Sequence, residues 1–439
     1  MDELFAHAPV PKAYMHLALP VVLGMVASMV YNLADTFFVA QTGNADLVAG
    51  VTLGAPLFSF MLAVGDIFGL GGSALLSRLL GDGKRQAVRA LSSFCLYAAI
   101  GLALVITAAL LLFKQPILTL LGATAATRGY AGDFYTMLSL GAVFIIVSLV
   151  PGNIIRTEGL AQQSMIATLA GTALTIVLDP VFLFGLHWGA SGVGLANVLG
   201  YALNTGLLLW FTQRRAQYLS IEPQVAKASK QALWAILAIG IPASLTNFMQ
   251  SLGTMLLNQR LAAYGANAIA AMGIAQKVYM IVMLIMVGFA FGAQPLIGYN
   301  FGAKAHQRLQ AILRFDFKVE IGYAVVAAAL LMLFAKSLVA LFMDQPQIVA
   351  MGSLMMRALL ITTPFIGAIL VFTTVFQSVG QPLGALVMAV ARQGVVFAIA
   401  LWLLPQWLGF DGIVWAQAVS DVLTCAIGYG LYRRGKKVM

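Results

Sequence analysis

A chain of 439 residues that is 61% hydrophobic and only 9% charged cannot clothe a water-facing surface, which takes roughly 25% charged residues in a soluble protein. Its mean hydropathy of +0.93 agrees, so the sequence reads as a polytopic membrane protein. The net charge of +10 does not point to nucleic acid, because the basic residues fall in short clusters between apolar stretches, with no basic face interleaved with aromatics.

A membrane crossing takes about 20 mostly apolar residues. Twelve segments meet that length in chain order, near 14–40, 49–77, 90–113, 132–155, 164–186, 191–213, 234–259, 267–297, 315–335, 349–378, 383–404 and 411–432. The first follows MDELFAHAPVPK without a small-residue cleavage site. It is about twice as long as the apolar core of a signal peptide and is expected to stay as the first span. Long apolar runs also exclude a barrel, whose strands alternate over short segments.

The Lys/Arg distribution sets the expected orientation. With the N-terminus inside, the cytoplasmic side receives Lys12, Arg78, Lys84, Arg85, Arg89, Arg156, Arg214, Arg215, Lys227, Lys230, Lys304, Arg308, Arg314, Lys318 and the closing RRGKK. The other side receives Lys114, Arg128, Arg260 and Lys336, so about 18 basic residues stand against about 4. That bias places the N- and C-termini in the cytoplasm.

The two halves resemble each other. LP at 19–20 returns as IP at 241–242, LLGDGKRQ at 79–86 as NFGAKAHQ at 300–307, and EGL at 158–160 as VGQ at 379–381. GVGLAN at 192–197 returns as GIVWAQ at 412–417, and FTQRR at 211–215 as GLYRR at 430–434, so the offset stays at 219–222 residues. Six spans per half is an even number, which makes the repeat parallel, about an axis along the membrane normal. The expected fold is all-α, with twelve transmembrane helices in two six-helix lobes, 1–220 and 221–439, related by a pseudo-two-fold axis.

Polar residues inside the spans carry the functional signal. An acid at mid-membrane costs about 2.5–3.5 kcal/mol on insertion scales, and the first span nevertheless holds Asp35 in SMVYNLADTFFV. Asn32, Tyr31 and Ser28 stand on its face at i−3, i−4 and i−7. The fifth span places Asp179 at the same depth, with Thr175, Thr172 and Thr168 behind it. The sixth brings Asn197, Tyr201 and Asn204. Pro180 is expected to turn Asp179 away from helical geometry and free a carbonyl nearby. Carboxylates and freed carbonyls around a cavity are how transporters hold Na⁺ or H⁺. No Lys or Arg lies at that depth in the first half to neutralise the acids. The plainer account, a structural hydrogen bond or ion pair to another helix, is open for each acid alone.

Other charges read differently. Arg392 and Asp421, in neighbouring spans, suggest an internal ion pair; Lys277 and Arg357 lie where they can snorkel. Asp66, among the glycines of VGDIFGLGG, has no assigned role. Glu320 is expected near the inner interface and hydrated. Asn247, Ser251, Thr254 and Asn258 form an acid-free stripe that lines a cavity or pairs helices. The sequence also holds 20 Met and 26 Phe, soft apolar surface able to repack around varied ligands.

Cys95 and Cys425 sit in apolar runs and form neither a disulfide framework nor a metal set. His7, His16, His187 and His306 lack zinc spacing. No nucleophile motif or Walker loop is present in a usable context, so no enzyme and no ATP-driven pump is expected. Pumping then draws on an ion gradient.

Together Pro20 and Asp35, SRLLGDGK after the second span, NIIRTEGLAQQSM at 153–165 and LDPVFLFG at 178–185 resemble the multidrug and toxic compound extrusion (MATE) family, in its DinF-like branch with bacterial relatives of the MepA type. The resemblance covers nearly the whole chain. It implies efflux of organic cations and amphipathic compounds, coupled to inward H⁺ or Na⁺, by alternating access around a central cavity of an inner-membrane protein. In that branch the coupling cation is held in the first lobe. Asp35 and Asp179 match its acids, while Thr175 stands where Asn is usual and Asn197 where Thr is usual. Tyr31, Asn32, Ser28, Tyr201, Asn204, Asn153, Asn247 and Ser251 are then candidates for the substrate cavity. The second-lobe acids that other branches carry in the seventh and tenth spans are missing, which argues against a coupling site like theirs. Beyond the coupling ion no cofactor is expected, and a monomer suffices. A lipid-precursor flippase on the same fold is the alternative; it favours a strongly basic cavity, which the acidic or neutral residues here do not form.

Overall fold

The computed structural model describes residues 3–435. Among these, nine helices are long and apolar enough to cross a membrane, and twelve if each of three bent pairs counts as one span. In chain order they are α1 (Val10–Gln41), α2 (Ala45–Gly81), α3 (Arg85–Leu112), α4 (Arg128–Leu140 with Ala142–Glu158), α5 (Ala161–Gly185) and α6 (Gly189–Arg215). The second set comprises α7 (Lys230–Ala262), α8 (Ala266–Gly302), α9 (His306–Leu333 with Ala335–Phe342), α10 (Pro346–Leu360 with Thr363–Val379), α11 (Pro382–Leu408) and α12 (Phe410–Gly435). Each coincides with one of the twelve apolar segments to within a few residues at most ends; only α9 starts much earlier. Lys436 and Lys437, counted above on the cytoplasmic side, lie outside the described residues.

The repeat is written into the backbone. Left-handed turns fall at Gly43 and Gly265, Gly83 and Lys304, Gly159 and Gly380, and His187 and Gly409, pairs that keep the offset of the sequence repeat. Gly83 closes its turn without a Cβ penalty, whereas Lys304 holds φ +54° at a cost of about 1–2 kcal/mol. The bends recur too, since α4 bends by 48° and its mate α10 by 41°.

Contacts divide the chain into two compact units, but not as 1–220 and 221–439. One unit runs from Leu23 to Ser244; the other takes the chain up to Val22 and again from Leu245 onward. The division falls inside α1 and α7, two residues after Pro20 and two after Pro242. Close helix approach accounts for it. In the first unit a Cβ at Gly240 would lie 1.9 Å from the Ile67 carbonyl oxygen, and one at Gly71 2.3 Å from that of Ile236. The start of α7 therefore belongs with α2. In the second unit a Cβ at Gly292 would lie 2.3 Å from the Cα of Ala18, so the start of α1 belongs with α8.

Two further contacts secure the first unit. Glu158, at the end of α4, accepts hydrogen bonds from the backbone N–H groups of Gln217, Tyr218 and Leu219 at 2.6–2.7 Å. This pins the segment that follows α6. Asn44 caps α2 by accepting from the N–H groups of Asp46 and Leu47 at 3.1 Å, and its amide donates to the Tyr130 hydroxyl at 2.9 Å.

Candidate functional site

The sequence stripes converge inside the first unit. Asp179 is fully buried, Asn197 and Thr175 are nearly so, and Tyr31 is 9% exposed. Asp35 is half-buried; its side chain interacts with Asp179 and with Asn197. Tyr31 lies within electrostatic reach of Asp35, Asp179 and Tyr201. The Tyr201 ring meets Phe58 of α2 edge-on at 5.6 Å. Residues from α1, α5 and α6 thus enclose two carboxyl groups.

Asp179 does not leave the helix as expected. Regular helix continues through Pro180, and the π-helical turn Val181–Gly185 follows it. A local widening of this kind absorbs the N–H that proline lacks, with neighbouring helices holding the backbone in place. Asp179 is therefore presented by a rigid helical turn.

Thr175 sits one turn before Asp179 and joins α5 to α6. Its hydroxyl donates to the Gly171 carbonyl at 3.1 Å and lies 3.4 Å from that of Ala196. Only a residue without a side chain fits opposite, since a Cβ at Gly200 would lie 2.0 Å from the Thr175 hydroxyl oxygen. Asn197 donates its amide to the Val193 carbonyl at 3.0 Å, and the same side chain reaches the Asp35 carboxyl.

The chemistry of this cluster follows from what the acids lack. Asp35 Oδ1 and both carboxyl oxygens of Asp179 are buried without a hydrogen-bond partner. Carboxylates are acceptors only, so two of them facing each other have nothing to share until a proton or a cation arrives. An isolated buried anion is strongly disfavoured.

The remaining candidates divide. Asn204 lies on the α6 face beside Gly171, its side-chain oxygen buried and unpartnered. Ser28 and Asn32 bond to their own helix, Ser28 to the Gly24 carbonyl at 3.1 Å and Asn32 to that of Ser28 at 2.7 Å. Asn153 is not with them: its amide bonds to the Leu149 carbonyl at 2.8 Å and packs against Gly69 of α2. Asn247 and Ser251 belong to the other unit, exposed on α7.

In that second unit Arg392 Nε donates to Asp421 Oδ1 at 3.0 Å. Asp421 accepts further bonds from Thr362 at 2.8 Å and Gln417 at 2.9 Å, and Arg392 also donates to the Tyr279 hydroxyl. Every charge in this group has its partner. Lys277 is exposed, and Arg357 donates to the Met332 carbonyl at 3.2 Å. Asp66 is in electrostatic contact with Arg156, whose guanidinium also reaches Ser164 at 3.4 Å.

Glu320 corrects the sequence reading: it is fully buried rather than hydrated. Asp316, one turn earlier and equally buried, carried no signal in the sequence. The stretch RFDFKVE looks like a helix entering from water, but in α9 Arg314 and Lys318 are exposed while Asp316 and Glu320 face inward.

Comparison with known proteins bears on the whole chain. The MatE family profile matches twice, over residues 20–181 and 242–402, the same spacing as the internal repeat. The chain is 31% identical over 434 residues to the multidrug export protein MepA of Staphylococcus haemolyticus, which covers 98% of this chain and 96% of that relative. It is 29% identical to MepA of Staphylococcus aureus over 96% of this chain and 93% of the other. A solved outward-facing multidrug resistance MATE family transporter superposes with a TM-score of 0.92 at 24% identity, covering 98% of this chain and 97% of that one. That last likeness speaks for the fold.

Proposed function

Because the chain belongs to the MatE family, we propose that it exports drug-like organic cations and other amphipathic compounds, driven by the inward movement of H⁺ or Na⁺. The names of the multidrug export relatives support the substrate class. The ion coupling rests on one observation, the three buried, unpartnered carboxyl oxygens of Asp35 and Asp179.

Among the described residues no cationic side chain pairs with those acids. A proton or Na⁺ from outside binds between Asp35 and Asp179, assisted by the oxygens of Thr175 and Asn197, and discharges the pair. Ion binding favours one conformation and drug binding the other, and that difference in affinity is what coupling requires. Tyr31, Tyr201, Asn204, Asn32 and Ser28 supply an aromatic and amide surface for the substrate. The protein acts as a monomer in the inner membrane, with both termini in the cytoplasm, and uses no cofactor besides the coupling ion. No observation favours a lipid-precursor flippase.

Imposed gradients in reconstituted vesicles test the reading. Uptake of a fluorescent organic cation is expected when the gradient of H⁺ or of Na⁺ runs opposite to it, and is expected to stop when that gradient is collapsed. Uptake indifferent to both gradients would end the antiport proposal.

A further inference from the structure

Asp316 and Glu320 are used neither by the cluster above nor by the Arg392 ion pair. They stand one turn apart on one face of α9, and both are 0% exposed. The Tyr14 hydroxyl donates to Asp316 Oδ1 at 2.7 Å. Asp316 Oδ2 and both carboxyl oxygens of Glu320 are buried without a side-chain hydrogen-bond partner, and the Ala290 N–H of α8 is the backbone donor within reach of Glu320. The Tyr14 ring stacks on Phe289 at 6.5 Å and meets Phe315 edge-on at 5.2 Å, while Phe289 meets Tyr323 at 6.0 Å. The surroundings are aromatic.

Among the described residues no cationic side chain serves the pair. On α9 itself Arg314 and Lys318 are exposed, as are Lys12 and His16 on α1 and Lys277 on α8. Arg308 is held by the carbonyls of Phe5 and Ala8 at 2.7 Å. Arg357 of α10 bonds to the Met332 carbonyl and Arg392 of α11 to Asp421. The other titratable groups nearby are neutral tyrosines: Tyr14, Tyr323 within electrostatic reach of Glu320, and Tyr432 of α12 against Phe317.

Packing does not require acids here. By the offset of 221, Asp316 and Glu320 correspond to Cys95 and Ala99 of α3; by the offset of 222, Tyr14 corresponds to Ile236 of α7. Cys95, Ala99 and Ile236 are likewise 0% exposed, so the first unit fills the same register with apolar side chains.

We propose that Asp316 and Glu320, with Tyr14 as donor, form a second exchangeable proton site, separate from the Asp35–Asp179 pair. Two buried carboxylates this close, with no cation, cannot both stay ionised. One proton shared between them turns one acid into a donor for the other, and Tyr14 supports the remaining charge. Asp316 is ten residues into α9, roughly 15 Å along the axis from its first residue.

The proposal is independent of whether Asp35 and Asp179 couple transport, and its test reads protonation directly. Purified full-length protein in lipid nanodiscs is titrated from acidic to alkaline buffer while the infrared C=O band of protonated carboxyls is recorded. In an Asp35→Asn, Asp179→Asn background a band that titrates above the pH at which the exposed carboxyls ionise is expected to persist. It should disappear in Glu320→Gln and shift in frequency and midpoint in Tyr14→Phe. The chain has four glutamates, Glu3, Glu158, Glu222 and Glu320, so carboxyl-labelled glutamate gives a mutation-free readout if the variants do not fold. An isotope-shifted protonated band that survives above the pH at which the exposed Glu3 and Glu222 have ionised, and is lost only as pH rises further, supports the site. A labelled band that vanishes together with that of the exposed glutamates, leaving none at higher pH, overturns it.

Discussion

Asp179 and Asp421 are both fully buried acids, yet their surroundings give them different work. Asp421 accepts from Arg392, Thr362 and Gln417, whereas both oxygens of Asp179 lack a partner. Opposite stability effects should follow. Removing the guanidinium in Arg392→Met strands a buried anion and is expected to cost about 3–5 kcal/mol, read as a large fall in the thermal unfolding midpoint in detergent. Asp179→Asn removes an unpaired carboxyl and should leave that midpoint unchanged or raise it; an equal fall in both would contradict the distinction. At this scale the sequence was informative where an acid stood alone in apolar surroundings, as Asp35 and Asp179 do. It was silent on Asp316 and misleading on Glu320, because exposed Arg314 and Lys318 alternate with them and mimic an interfacial turn.

The site depends on how closely α5 and α6 approach. Gly171 and Gly200 let the Thr175 hydroxyl reach across, and a Cβ at Gly200 would lie 2.0 Å from that oxygen. Gly200→Ala is therefore expected to cost about 1–3 kcal/mol through overpacking and to reduce gradient-driven uptake with it. Adding Thr175→Ala should recover part of the stability, a coupling that a double-mutant cycle measures. Strict additivity of the two changes would show that the contact is not what separates the helices. All twelve spans were legible because each carries a long apolar run. Their internal breaks were not: α4 breaks at Gly141 and α9 at Phe334, positions unremarkable in sequence. Pro180 gave a wrong expectation, since proline excludes one hydrogen bond and a helix packed among helices can widen to accommodate it.

Across the whole molecule the repeat puts the two polar clusters in register. By the offset of 220, Asn197 and Tyr201 of α6 correspond to Gln417 and Asp421 of α12; by the offset of 221, Phe58 corresponds to Tyr279. Phe58 meets Tyr201 in the first unit, and Tyr279 is joined to Asp421 through Arg392 in the second. One unit thus carries a fixed cation in the register that the other leaves open. The mate of Asp35 by the offset of 222 is Leu257, so the Asp35–Asp179 pair has no acidic counterpart in the same register of the second half. The halves were visible in the sequence through short matches such as LP and IP, but the exchange of chain between units within α1 and α7 was not. It arises from close backbone contacts at Gly240 and Gly292 that no pattern announces. The charge bias yields a further prediction. In a chain with Cys95 and Cys425 replaced by alanine, a cysteine at Gln224 should react with an impermeant maleimide only from the cytoplasmic side, and one at Gln345 only from outside; the reverse pattern would invert the topology.

The claim on which the account turns is that a small cation discharges Asp35 and Asp179 to drive export. The most direct measurement compares the unmodified chain with Asp35→Asn, Asp179→Asn in the same vesicles, recording dye binding at equilibrium and uptake under an imposed gradient. The variant is expected to bind dye while its gradient-driven uptake falls to the level of empty vesicles. Uptake that still follows the gradient, at the rate of the unmodified chain, would contradict it.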